Sequence, residues 1–245
     1  MLLIIAATRL ESSLLRKQIK LSETSDPELF SGMISEGRLL NLLHTGVGPT
    51  STAITLTRFL ERATPRVILM IGCGGSYPNS GLKIGDLALA SEEIFGDLGV
   101  MTDQKFLPLD EMDIPTTPPP VQRVQLNSPL QKPTAKLLHI SIEKTQSRLV
   151  CGPFVTVSTC SGYSQLSLDL ESRTGGICEN MEGAAAAQVC SLYQVPFLEL
   201  RGISNPTGTR DPEQWDLKRG AESAQWGAVQ ILKNWTLLEK NLCSS

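Results

Sequence analysis

Short apolar runs alternate along the chain with amphipathic stretches. Leu2 to Ala7 is continuously apolar, the pattern of a strand covered on both faces. Glu11 to Lys20 follows with a helical pattern. Leu39 to His44 reads as a second strand and runs into Thr45-Gly-Val-Gly-Pro49. Thr50 to Glu61 reads as an amphipathic helix, with Ile54, Leu56, Phe59 and Leu60 on or near one side. Arg66 to Ile71 reads as a third strand, ending in Gly72-Cys-Gly-Gly75. Both strands thus end in glycine-rich segments, read as turns where a ligand can approach the backbone closely.

Gly85 to Phe95, Leu149 to Val157 and Pro196 to Ile203 are further strand patterns. Glu182 to Tyr193 is an alanine-rich helix, and Asp211 to Trp235 is mainly helical. Strand-then-helix alternation predicts one α/β domain over residues 1–245. Its core is a mixed, largely parallel central sheet flanked by helices, with the site at the carboxyl ends of the strands. Thr102 to Leu138 breaks the pattern. It carries Pro108, Pro115, Pro118 to Pro120, Pro129 and Pro133 without periodicity, and reads either as an insertion or lid over a site or as a surface loop.

Composition narrows the function. A chain of 245 residues buries roughly 70% of its unfolded surface and needs neither disulfides nor metal to hold a core. The net charge is −3 and the basic residues form no cluster, which argues against nucleic acid or an anionic membrane as partner. The apolar N-terminal run lacks a basic flank and meets Arg9 and Glu11 at once, unlike a signal peptide or a membrane span. Cysteines stand at 73, 151, 160, 178, 190 and 243, with no CxxC pair, and the two histidines are His44 and His139. No metal site is expected from this set. The cysteines read as reduced, buried thiols and the expected location is cytoplasmic. No GxGxxG, P-loop or GxSxG pattern occurs. The chemistry is therefore expected to rest on carboxylates, amides and backbone donors, with no cofactor.

Three polar residues stand just past apolar strands or at a helix start: Glu11, Glu182 and Asn205. Singly, each has a bland reading. Glu11 and Glu182 suit the positive end of a helix, and Asn205 before Pro206 suits a turn. In order, however, they occupy the first, fourth and fifth of five blocks: Ile4-Ile-Ala-Ala-Thr-Arg-Leu-Glu11, Gly46-Val-Gly48, Ile71-Gly-Cys-Gly-Gly75 with Leu82-Lys-Ile-Gly-Asp86, Asn180-Met-Glu-Gly-Ala-Ala185, and Val195-Pro-Phe-Leu-Glu-Leu-Arg-Gly-Ile-Ser-Asn205. Over nearly its whole length the chain resembles the nucleoside phosphorylase and nucleosidase superfamily. The tail Ser204-Asn-Pro-Thr-Gly-Thr-Arg-Asp211 with Trp215-Asp-Leu-Lys218 resembles its futalosine hydrolase branch. That branch belongs to menaquinone biosynthesis.

The resemblance implies a nucleoside phosphorylase-like fold and cleavage of a purine N-ribosidic bond. It makes Glu11 the base that activates water and Glu182 the acceptor of ribose hydroxyls, with Met181 against the sugar and Gly74 in the substrate-binding glycine segment. Asn205 takes the purine-binding place that adenine-cleaving relatives fill with aspartate. An amide presents one donor group and one acceptor, a pairing that suits a 6-oxopurine and mismatches adenine. Phe154 either stacks on the purine or packs in the core. Arg9 binds the carboxylate of futalosine's aromatic substituent, binds phosphate in a phosphorylase, or is an exposed residue at a helix start. Asp86 reads as structural. The implied partner is a small purine nucleoside, and the resemblance further implies a homo-oligomer. Three alternatives remain open: a purine nucleoside phosphorylase, a methylthioadenosine/S-adenosylhomocysteine nucleosidase, and a non-catalytic nucleoside binder.

Overall fold

The computed structural model describes residues 1–115, 121–143 and 145–243. Its strands are β1 (Leu2–Ala6), β2 (Ser22–Glu23), β3 (Leu29–Ile34), β4 (Arg38–His44), β5 (Ile68–Ser76), β6 (Leu87–Phe95), β7 (Gly99–Met101), β8 (Phe106–Pro108), β9 (Arg123–Gln125), β10 (Leu149–Thr156), β11 (Cys178–Asn180) and β12 (Phe197–Pro206). The helices are α1 (Ser13–Ile19), α2 (Pro49–Leu60), α3 (Gln131–Ile142), α4 (Ser164–Thr174), α5 (Gly183–Leu192), α6 (Leu217–Lys233) and α7 (Trp235–Leu238). All strands but β7 and β8 join one mixed sheet.

β1 lies between β4 and β5, parallel to both. Its residues point alternately into two cores. Ile4 packs with Leu42, Leu69, Leu200 and Ala228 on one face; Ile5 packs with Leu43, Met70, Ala186 and Ile203 on the other. A strand with a core on each side has no solvent face, so every residue of β1 is apolar and buried. β5 pairs parallel with β12, β12 antiparallel with β6, and β6 parallel with β10. The short β11 pairs parallel with β10 and antiparallel with β5. That double pairing closes β5, β12, β6, β10 and β11 into a ring, with β1 to β4 as an open wing.

Several boundaries differ from the sequence expectation for physical reasons. β5 does not stop at Ile71. It continues through Gly72-Cys-Gly-Gly75 to Ser76 as paired strand, so this glycine segment is extended backbone, not a turn. The Gly46-Val-Gly48 segment is a turn: Gly46 and Gly48 have φ of +79° and +92°, a region side chains rarely enter. The helix expected from Glu11 begins instead with a 3-10 turn over Leu10–Ser12, and α1 starts at Ser13. The β2–β3 hairpin and α4 were not expected; Ser31 and Gly32 interrupt the apolar alternation of β3.

Within 102–138, Pro118 to Pro120 lie outside the described residues. The remainder includes β8, β9 along β6, and the start of α3. Pro133 falls in the first turn of that helix, where a missing N–H costs little. Among the described residues no helix is long and apolar enough to cross a membrane.

Candidate active site

The carboxyl ends of β1, β5 and β12 and the β11–α5 junction converge on a cleft of about 340 Å³. Glu11, Gly74, Met181, Glu182 and Asn205 all line it. No described residue of 102–138 does.

Glu11 is buried and held from three directions. Thr8 donates to its Oε2 from both N and Oγ1, each at 2.9 Å, and Cys73 N donates to Oε1 at 2.9 Å. Cys73 is brought there because β5 runs beside β1. Gly72 makes the approach possible: a Cβ at that position would lie 2.7 Å from Glu11 Oε1 and 2.6 Å from Arg201 Nη1. Gly74 is equally constrained, since its Cβ would lie 2.3 Å from Cys178 Sγ. These glycines are required for close approach of side chains across the strand.

Glu182 sits at the N-cap position of α5. Asn180 Oδ1 accepts from Glu182 N at 2.9 Å and Gly183 N at 2.7 Å, satisfying donors that a helix start leaves unpaired. The Glu182 carboxylate thereby faces the cleft, where Oε1 accepts from Gly48 N at 3.0 Å and Oε2 from Arg201 Nη1 at 3.3 Å.

Arg201, for which the sequence suggested no role, organises the floor of the site. It is 1% exposed. Besides Glu182, it donates to Glu199 Oε1 at 2.8 Å, Cys73 O at 3.2 Å and Asn180 Oδ1 at 3.3 Å. Burial opposes its charge, but the carboxylates of Glu199, Glu182 and Glu11 outweigh burial and raise its pKa.

Behind Arg201 lie two fully buried acids, Glu93 and Glu199. Glu93 accepts from Thr156 Oγ1 at 2.6 Å and Asn180 Nδ2 at 2.7 Å. Burial first, and then the charge of Glu199, push Glu93 well above the usual carboxylate range. A protonated Glu93 can donate to Glu199 Oε2, a buried atom with no other hydrogen-bond partner. Both acids crowd the same backbone: a Cβ on Gly183 would lie 2.2 Å from Glu93 Oε1 and 2.4 Å from Glu199 Oε2.

Asn205 lies at the end of β12. Ser204 Oγ donates to its Oδ1 at 2.7 Å, and its Nδ2 donates to Pro206 O at 2.9 Å. The amide is thus oriented by hydrogen bonds rather than free to flip. Glu179 also lines the cleft. It accepts from Ser161 N, Ser161 Oγ and Tyr77 OH at 3.0, 2.7 and 3.1 Å, and burial raises its pKa.

Two candidates fall outside. Phe154 is fully buried and lines no part of the cleft. It sits on β10 opposite Cys178 and Glu93, and the strand's pleat turns it into the core. Arg9 points away to the surface, donating to Pro27 O at 2.7 Å and Glu23 Oε1 at 3.4 Å, with Glu28 4.0 Å away.

The cysteines are also less uniform than expected. Cys178 and Cys190 are buried, but Cys151 and Cys160 are exposed. Cys73 lines the cleft, where burial and the Glu11 charge push its thiol up to about 12, so it is no thiolate nucleophile. A Ser–His–Glu alignment exists as well: Ser12 Oγ is 2.8 Å from His44 Nε2, and His44 Nδ1 is 3.2 Å from Glu28 Oε2. Ser12 is fully buried, outside the cleft, and accepts from Arg16 Nε at 3.2 Å. It packs the wing and cannot meet a substrate.

Comparison with known proteins decides the family. The phosphorylase superfamily model matches residues 2–233. The chain belongs to the phosphorylase superfamily. Within it, the chain is 30% identical over 224 residues to a futalosine hydrolase of Streptomyces coelicolor, covering 87% of this chain and 88% of that protein. It is 25% identical over 189 residues to a 5′-methylthioadenosine/S-adenosylhomocysteine nucleosidase of Haemophilus influenzae, covering 76% and 78%. The structure of a futalosine hydrolase mutant of Helicobacter pylori shares the fold, with a TM-score of 0.80 at 19% identity over 95% of this chain and 98% of that one.

Proposed function

We propose that this member of the superfamily hydrolyses the N-ribosidic bond of a 6-oxopurine nucleoside, futalosine, giving hypoxanthine and dehypoxanthinyl futalosine as a step of menaquinone biosynthesis. The observation that carries the reading is Asn205 in the cleft, with its amide held by Ser204. With Oδ1 accepting from Ser204, its remaining lone pair accepts from a protonated purine N7, and the Nδ2 hydrogen not given to Pro206 meets a 6-oxo oxygen. An adenine 6-amino group would set donor against donor, an unpaired contact that a buried site rejects strongly. The similarity to the Streptomyces coelicolor futalosine hydrolase supports the same choice.

In this reaction the C1′–N9 bond breaks with oxocarbenium-like charge on the ribose. Glu182, its carboxylate at the cleft floor, accepts ribose hydroxyls and stabilises that charge. Water adds to C1′ and gives its proton to Glu11, which later releases it to solvent. The purine takes a proton from solvent at N7 and leaves as neutral hypoxanthine. Three donors orient Glu11, so the base is fixed before water arrives, a preorganisation that favours general-base catalysis. Glu11 also disfavours phosphate as nucleophile, since a second anion beside it is repelled. The expected setting is cytoplasmic and homo-oligomeric. A self-associating face is supported by Ile54 on α2 and Leu192 on α5, which are 55% and 78% exposed.

The test is chromatographic. The protein should release hypoxanthine from futalosine equally well with and without phosphate. Release that requires phosphate, or adenine release from methylthioadenosine with futalosine untouched, would overturn the reading.

A further inference from the structure

A nucleoside with an anionic tail meets an electrostatic obstacle in this cleft. Three carboxylic residues line it, Glu11, Glu179 and Glu182, against two arginines, Arg201 and Arg210. Arg201 is buried and its donors are committed to Glu182, Glu199, Asn180 and Cys73 O. Arg9, the sequence's candidate for a carboxylate, is engaged outside by Glu23, Glu28 and Pro27. Arg210 differs from both: it lines the cleft, is exposed, and among the described residues forms no salt bridge.

Its guanidinium is nevertheless placed. The carbon Cζ stands 4.4 Å from the centre of the Trp215 ring, and its stem runs over Gly162, where a Cβ would lie 3.3 Å from Cγ. A guanidinium stacked by its face keeps its N–H groups free in its own plane, where they can pair with a carboxylate in bidentate fashion. The supporting loop is fixed too. Asp211 accepts from Glu213 N at 3.0 Å and Gln214 Nε2 at 2.9 Å, which sets the turn between Arg210 and Trp215. The same segment begins at Asn205, and of the two arginines lining the cleft Arg201 is buried and Arg210 is the exposed one.

Resting on the futalosine reading, we propose that Arg210 and Trp215 form the subsite for the aromatic carboxylate at the 5′ end of the substrate. Arg210 pairs with the carboxylate and Trp215 holds the guanidinium in place and walls the aromatic ring. The pair is a specificity device and takes no part in bond cleavage.

Steady-state kinetics of the full chain test this with futalosine, its carboxylate methyl ester and inosine. The wild type should prefer the acid to the ester, and Arg210→Ala should erase that preference. The ratio of futalosine to inosine kcat/KM should fall about 10- to 100-fold, the scale of a charge-assisted hydrogen-bonded pair, through KM rather than kcat. Arg210→Lys, which keeps charge but loses the fork, should fall between. Parallel loss on all three substrates would mean a structural role and overturn the subsite, as would an unchanged ratio. A wild type that cleaves inosine and ignores futalosine overturns the functional reading as well, so the two failures are distinguishable.

Discussion

Arg201 Nη1 donates to Glu182 Oε2 at 3.3 Å in a place where both side chains are shielded from water. The cleft-lining carboxylate of Glu182 is therefore held by a buried cation that also holds Glu199. Removing one partner of such a pair strands the other charge, at a cost of about 3–5 kcal/mol. Arg201→Met should lose about that much in urea unfolding at neutral pH. A loss below about 1 kcal/mol, the scale of an exposed pair, would contradict the network described for the cleft floor.

The Glu93–Glu199 pair gives stability a pH dependence whose sign follows from its cause. Burial and the Glu199 charge hold Glu93 well above its ordinary value of 4.5. Above that value the unfolded chain has lost the proton while the folded chain keeps it. The stability contributed by this group is full below the unfolded value and is lost as pH rises toward the folded one. Glu93→Gln cannot ionise and still presents a donor to Glu199 Oε2. Its stability relative to wild type should rise as pH is raised above the ordinary value of 4.5, read from urea midpoints at several pH values. Parallel stability curves would show that Glu93 is ionised in the folded chain.

Gly72 sits where Glu11 and Arg201 meet, and a Cβ there would press on both. Gly72→Ala should keep the secondary structure by circular dichroism yet lose about 100-fold in kcat, since displacements near 1 Å cost that much at a reacting centre. Turnover equal to wild type would mean the two side chains have room to give.

Legibility in the sequence followed the solvent boundary. Glu11, Glu182 and Asn205 stood out because each is polar just where an apolar pattern ends. Arg201 and Glu199 were hidden because they lie inside β12, within Phe197-Leu-Glu-Leu-Arg201, where an apolar flank suggests only a strand. The signal was present for two of them: Glu199 and Arg201 are two apart, hence on one face of an apolar strand. The glycines of β5 were misread because glycine marks both turns and close approaches, and only the neighbours across the sheet separate the two. The ring closed by β11 was also invisible, since three residues with pairing on both sides carry no periodicity. For Arg9 and Phe154 the sequence left a site role open beside a surface or core role, and side-chain direction separates them: Arg9 lies at the surface and Phe154 in the core.

In the proposed reaction Asn205 sets the choice of base. Asn205→Asp should reduce hypoxanthine release from futalosine by about 100-fold or more, because a mispaired buried polar group is costly, and should raise adenine release from methylthioadenosine. Product analysis by chromatography reads both. An unaltered rate on futalosine would remove Asn205 from base recognition.

The role of Glu11 is the centre of the account, and Glu11→Gln measured on futalosine without phosphate tests it most directly. The amide keeps the size of the side chain but cannot take a proton from water. Hypoxanthine release should fall by about 10²–10⁴ in kcat, the range of general-base catalysis, with KM changed by no more than about threefold, since ground-state binding is retained. A Glu11→Gln protein that releases hypoxanthine at the wild-type rate would contradict the assignment of Glu11 as the base.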